Sequence, residues 1–279
     1  ASVPQGQNVL FPEGNLSNDL ASGYRRARLA WYNIEQRLQD RSDNDNPLKG
    51  NLAELIKPET RLVHQEEIFP KRTTDIGQSI LTTFDLAYYP KEKGPYNFAA
   101  NSSRLDANGN LRNPKESWGG IMRNIDQTDF ESSNIEFIEF WVQDPFISGR
   151  NPQGGQLYFD LGNISEDVLR DGKRLYENGL PTPTNKVPVD TSVSGQVPRN
   201  PLQVTNAFSN DAADRPYQDV GFDGLTDADE LNHFSNYLNQ LQTVVSNPAA
   251  IQNAKSDPSG DNFKGYRDPS FTVNDGILA

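Results

Sequence analysis

The chain has 279 residues, 34% of them hydrophobic and 23% charged, with a net charge of −12 and a pI near 4.7. That acidic balance argues against a groove for nucleic-acid phosphates and against an anionic membrane face, both of which want clustered Lys and Arg. Cysteine is absent, which removes thiol catalysis, thiolate metal sites and disulfides together. No apolar run approaches the ~20 residues a membrane helix needs, so no direct membrane insertion as a helix is expected.

Residues 1–50 read as an irregular N-terminal arm carrying one strand. Ala27, Leu29 and Trp31 alternate as a strand places them, while Leu20, Tyr24, Trp31, Ile34 and Leu38 also fit a helix face; the expectation is a strand and then a short turn. Residues 51–69 carry a short helix-like stretch that ends at the Pro70 break. The run Ile80-Leu-Thr-Thr-Phe-Asp-Leu-Ala-Tyr-Tyr89 predicts a strand closed by Pro90, and Asn108-Gly109 signals a hairpin turn. Further strands are predicted over 118–125, 135–142 and 156–161. The second of these has Ile135, Phe137 and Trp141 on one face and Ile138, Phe140 and Val142 on the other, so it reads as a central strand covered on both sides.

Ser165 caps a predicted short helix over 166–171, with Glu166 and Asp167 in its first turn and Gly172 as its stop. Residues 181–213 are Pro-rich and read as a linker or long loop. Residues 214–279 hold an Asp/Gly-rich loop, an amphipathic helix over about 227–246 with Leu231, Phe234, Leu238, Leu241 and Val245 as its stripe, and a polar tail. Short strands spaced by turn signals, with few helices, predict a mainly β protein: an antiparallel β-sandwich core over 51–180 with long loops. The ends of the chain are polar and carry no secretory leader, which is the expectation for a fragment or a processed piece.

The sharpest local motif is Asp219-Val-Gly-Phe-Asp-Gly-Leu-Thr-Asp-Ala-Asp-Glu230. It matches a twelve-residue calcium loop at several points: Asp219 at position 1, Asp223 at 5, Gly224 at the sharp turn, the Leu225 carbonyl at 7, Asp227 at 9 and Glu230 at 12. Position 3 is Gly221, which offers no side-chain ligand. The competing reading is a turn with Thr226 capping the helix and Asp229 three residues on. Calcium is the cofactor this motif would take.

Other chemistry is thin. His64 and His233 are the only histidines and share no metal-ligand spacing. Glu136 and Glu139 fall on opposite faces of the expected strand, which is wrong for an acid/base pair. No nucleophile elbow, phosphate loop or dinucleotide fingerprint is present. Trp118 and Trp141 would suit a sugar-stacking face, and a carbohydrate-binding module of a cell-surface protein is the alternative function on that ground.

Several runs occur in a definite order: Arg26-Ala-Arg-Leu-Ala-Trp-Tyr-Asn-Ile34, Thr83-Phe-Asp-Leu-Ala-Tyr-Tyr-Pro90, Gly94-Pro-Tyr-Asn-Phe98, Asn113-Pro-Lys-Glu-Ser-Trp-Gly-Gly-Ile-Met-Arg123, Thr128-Asp-Phe-Glu131, Ile135-Glu-Phe-Ile-Glu-Phe-Trp-Val-Gln-Asp-Pro-Phe146, Leu157-Tyr-Phe-Asp-Leu-Gly-Asn-Ile-Ser-Glu-Asp-Val-Leu169 and Ala213-Asp-Arg-Pro-Tyr-Gln-Asp-Val-Gly221. Together they resemble the SprA/Sov family of Bacteroidetes, the large outer-membrane proteins of gliding motility and type IX secretion. The resemblance implies a non-enzymatic piece of a protein-export translocon at the bacterial outer membrane or cell surface. It would shape the pore or dock partners: the remainder of the translocon barrel, other secretion-system proteins and secreted cargo. The runs over 135–142 and 157–161 also resemble galactose-binding-like jelly rolls.

Overall fold

The computed structural model describes residues 10–46, 48–72, 79–123, 125–126, 129–144, 146, 154–162, 167–173, 184, 188–200, 209–218 and 220–262. In chain order these form β1 (Ala27–Tyr32), α1 (Leu52–Leu55), β2 (Val63–His64), α2 (Gln65–Ile68), β3 (Ile80–Leu81), β4 (Asp85–Lys93), β5 (Val189–Thr191), β6 (Gln196–Pro198), α3 (Arg215–Gln218), α4 (Asp227–His233), α5 (Ser235–Val244) and α6 (Pro248–Ser256). Among the described residues the strands pair only in twos, β1 with β4, β2 with β3 and β5 with β6, each pair antiparallel. No helix among them is long and apolar enough to cross a membrane.

The expected jelly-roll β-sandwich is therefore corrected to a small mixed fold of short helices and two-stranded ribbons. A sandwich needs two multi-stranded sheets whose apolar faces meet. Residues 135–142 and 156–161 have the side chains for such a face, yet neither segment belongs to a strand. Phe137 and Trp141 are 74% and 68% exposed, not buried as a central strand requires. Hydrophobic patterning reports which side chains want cover; it supplies neither the partner edge nor the second layer.

Smaller differences have similar causes. The strand expected over 80–89 splits into β3 and β4, and Pro90 sits inside β4 instead of closing it. The register slips there: Ala27 pairs with Lys93 while Arg28 pairs with Tyr89, so Pro90 lies in a bulge and owes the ladder no N–H. The Asn108-Gly109 turn is present, with Gly109 at φ 87°, but its flanks shrink to one bridge between Leu105 and Leu111. The strand expected over 118–125 is reduced, among its described residues, to one parallel bridge from Trp118 to Arg26. Of the helix expected over 166–171, the described residues from 167 onward are not helical. Arg170 at φ 55° and Gly172 at φ 79° turn the chain out of helical geometry.

In the C-terminal third the expected helix divides at Phe234 into α4 and α5, and the tail carries a further helix, α6. Asn247-Pro248 starts it: the Asn247 side chain accepts from the amides of Ala249 and Ala250, and Pro248 fills a first-turn position that needs no donor. A β5–β6 hairpin stands within the stretch read as a linker.

The core lies between these helices and the segment that follows β4. Phe98, Ala99, Leu105 and Leu111 pack with Phe234, Tyr237, Leu238, Leu241 and Val245. The 106–110 turn docks on the α5–α6 joint, where the amides of Ser246 and Asn247 donate to the Ala107 carbonyl at 2.9 and 3.2 Å. Arg26 ties β1 into this core by donating to the carbonyls of Pro95 (3.1 Å) and Val168 (3.2 Å). Burial pushes its guanidinium down to about 10, which leaves it charged at neutral pH.

Candidate metal centre

The loop ahead of α4 turns on two glycines in the left-handed region, Gly221 at φ 51° and Gly224 at φ 68°. Gly224 is also pressed against the β5–β6 hairpin, since a Cβ there would collide with the Gln196 carbonyl oxygen. The Gln196 amide in turn donates to the Asp223 carbonyl at 2.6 Å. Leu225 anchors its side chain in the core. Thr226 then caps α4, its hydroxyl oxygen accepting from the Asp229 amide at 3.3 Å.

The loop and helix bring Asp223 and Glu230 face to face with Asp261, which follows α6. Each of the three offers an oxygen, and these atoms all lie within 4.8 Å of one another. A second group, Asp227, Glu230 and Asp257, shares Glu230 with the first. The turn after α6 is fixed over Glu230 by several bonds. The Ser259 amide and hydroxyl donate to the two Glu230 carboxylate oxygens at 3.0 and 2.6 Å. The amides of Gly260 and Asp261 donate to Asp257 Oδ1 at 2.8 and 3.1 Å. Asn262 Nδ2 donates to Asp227 Oδ1 at 3.1 Å.

The electrostatics follow from burial. Asp223 is 0% exposed and Glu230 1% exposed. Loss of water is the largest influence on Asp223 and raises its pKa, and the nearby Glu230 and Asp261 raise it further. Burial also raises Glu230, with the Ser259 bonds pulling the other way, and burial raises Asp257. Asp223 Oδ1 accepts from the Leu225 amide at 2.9 Å. Its Oδ2 is buried and accepts no hydrogen bond: the Ser259 hydroxyl is near enough to favour the carboxylate, but donates its one proton to Glu230.

Of the five residues read from the sequence as ligands, Asp223 and Glu230 fall in the first group. Asp227 stands at its exposed edge in the second. Leu225 contributes an amide to Asp223 and a side chain to the core, and Asp219 lies outside the described residues. Asp257, Ser259 and Asp261 were not read as site residues. The signal they do offer is Asp257-Pro-Ser-Gly-Asp261, an Asx-type turn directly after a helix, whose placement over Glu230 depends on the course of α4 to α6.

Two buried carboxylates, Asp223 and Glu230, joined by the half-buried Asp261, suit a hard cation. The donors are all oxygens, the set that calcium or magnesium takes, and calcium accepts the more irregular cage. The orphaned Asp223 oxygen is what such an ion would satisfy. No protein-family model matches the chain, and no curated protein matches it.

Proposed function

We propose that this chain is a non-catalytic accessory segment of a larger surface assembly and that its apolar runs at 135–142 and 157–161 are a docking face. The resemblance of its ordered runs to the SprA/Sov family points to the outer-membrane translocon of type IX secretion and gliding motility, whose remaining barrel is the occupant we assign to that face.

The observation that carries the reading is the exposure of these runs. Phe137, Ile138, Phe140, Trp141, Val142, Leu157, Phe159 and Leu161 are all more than half exposed. Phe140 and Phe159 bring the two runs side by side, with ring centroids 5.0 Å apart. Each such side chain forgoes a good part of the about 1.5–3 kcal/mol that full burial would give, and exposed apolar surface of this kind marks an interaction site. The reading includes a structural divalent cation at the Asp223–Glu230 centre, calcium by its donor chemistry. Bound there, the ion supplies charge neutralisation and takes no part in a reaction. The sugar-binding alternative loses Trp118: its Nε1 donates to Glu13 Oε1 at 2.6 Å, and the Arg26 guanidinium lies over its ring.

The test is made in the full-length parent protein in its own cells. Replacing Phe137, Trp141 and Phe159 together by Ser should lower secretion while the parent protein stays at normal level in the outer membrane. Normal secretion by that variant would overturn the docking role. Glycan binding lost on Trp141→Ala, with secretion intact, would favour the sugar-binding reading.

A further inference from the structure

The loop motif is incomplete where a calcium loop normally carries its second side-chain ligand, at Gly221, and the structure fills that place from elsewhere. A Cβ built on Gly221 would fall on Asp261 Oδ2 and crowd the Tyr96 hydroxyl. The carboxylate that occupies the missing side chain's volume therefore comes from the far side of α6, forty residues along the chain. We propose that Asp261 is the replacement ligand, so that one divalent cation of the calcium class, held by Asp223, Glu230 and Asp261, clamps the 220–230 loop to the 257–262 turn.

Two observations beyond the carboxylate cluster carry this. Asp223, fully buried, has an oxygen with no hydrogen-bond donor. A buried acceptor left this way is costly unless something satisfies it, and a cation between these oxygens would do so. Asp261 is also aimed, not merely near. The Tyr96 hydroxyl donates to Asp261 Oδ2 at 2.8 Å while accepting from the Phe222 amide at 2.7 Å, which locks the carboxylate to the loop one residue after Gly221. Tyr96 is thus a positioning residue. Glycine at 221 is demanded twice, by its positive φ and by the room Asp261 takes.

The inference rests on the cation reading above, and its test separates the two. Calcium affinity is measured by titration calorimetry on the whole chain, with terbium luminescence excited through tyrosine as a second probe, since Tyr96 adjoins the centre. Asp261→Asn should weaken binding by about tenfold or more, as should Asp223→Asn, because ligand charge sets affinity in such sites. Equal binding by wild type and Asp261→Asn, with Asp223→Asn weakened, would overturn Asp261 as a ligand and leave the cation standing. No binding by the wild type at about 10 mM calcium, well above the range of extracellular modules, would remove both. Hydrogen exchange on the unaltered chain guards against a variant that fails to fold. Calcium should slow exchange in 257–262 as well as in 220–230, and protection confined to 220–230 would count against the clamp.

Discussion

Phe98 and Phe234 stack with ring centroids 4.1 Å apart and planes 26° from parallel. The pair joins the segment leaving β4 to the break between α4 and α5, and both rings are buried. Tyr237 adds an edge-on contact to Phe98 at 5.4 Å. This aromatic knot, not the run at 135–142, is the centre of the fold.

Phe234→Ala should therefore cost about 3–5 kcal/mol, the range for emptying a buried aromatic site. Phe140→Ala, at an exposed position, should cost less than about 1 kcal/mol. Urea denaturation of the two variants reads the contrast directly, and the reverse order would put the core elsewhere.

The exposed runs predict a different phenotype. Phe137→Ser with Trp141→Ser should reduce binding of a hydrophobic dye and reduce self-association, while the melting temperature stays within the small change expected of surface substitutions, about 0.5 kcal/mol or less. A large loss of stability would mean that these rings are buried within the chain.

How much of this was legible in the sequence differs by element. β1 was readable because Ala27, Leu29 and Trp31 alternate over a ribbon with a single partner. The turn at Asn108-Gly109 and the cap at Thr226 were readable because each is a local bond decided by two or three residues. The sandwich was misread because the same alternation occurs at 135–142, and whether a partner edge exists is not a local property. The stretch after the expected helix reads as a polar tail, yet Asn247-Pro248 is a helix start, since proline's missing N–H is harmless in a first turn. Two of the three carboxylates of the candidate centre, Asp223 and Glu230, were visible. Asp261 was not, because its approach to Gly221 is set by the packing of α5 and α6 on Phe98 and Leu105.

Tyr96→Phe is the sharpest local probe of that approach. It keeps the ring and removes the hydroxyl that links Asp261 to the Phe222 amide, leaving a donor and an acceptor without this partner. The expected cost is about 1–3 kcal/mol, together with weaker calcium binding at nearly unchanged fold. Circular dichroism and calcium titration on the same sample check both halves, and wild-type affinity in this variant would mean that Asp261 needs no positioning.

The last prediction concerns protons. In the metal-free chain Asp223 and Glu230 have pKa values raised above the ordinary 3.8 and 4.5 of an unfolded chain, chiefly by burial. A group raised in this way binds its proton more tightly folded than unfolded. Its contribution to stability is complete below the unfolded value and is lost as pH climbs through the folded one. Without calcium, the part of the stability due to this centre should fall from about pH 4 upward through neutral, as ionisation strands negative charges in a dry site. Several partly exposed surface carboxylates, Asp43 and Asp190 among them, are shifted downward chiefly by arginine partners and act oppositely only at more acid pH. Calcium reverses the slope because it binds the ionised oxygens. It should displace protons on binding, raise the melting temperature more at pH 8 than at pH 5, and bind more tightly as pH rises. Thermal melts with chelator and with calcium at the two pH values measure this, and the proton release appears as acidification of a weakly buffered sample. The Asp223→Asn variant isolates the centre, because its chelator and calcium melts should converge at both pH values. A calcium shift equal at pH 5 and pH 8 would mean that the ion binds surface carboxylates already ionised at both, and not the buried centre between α4 and the turn after α6.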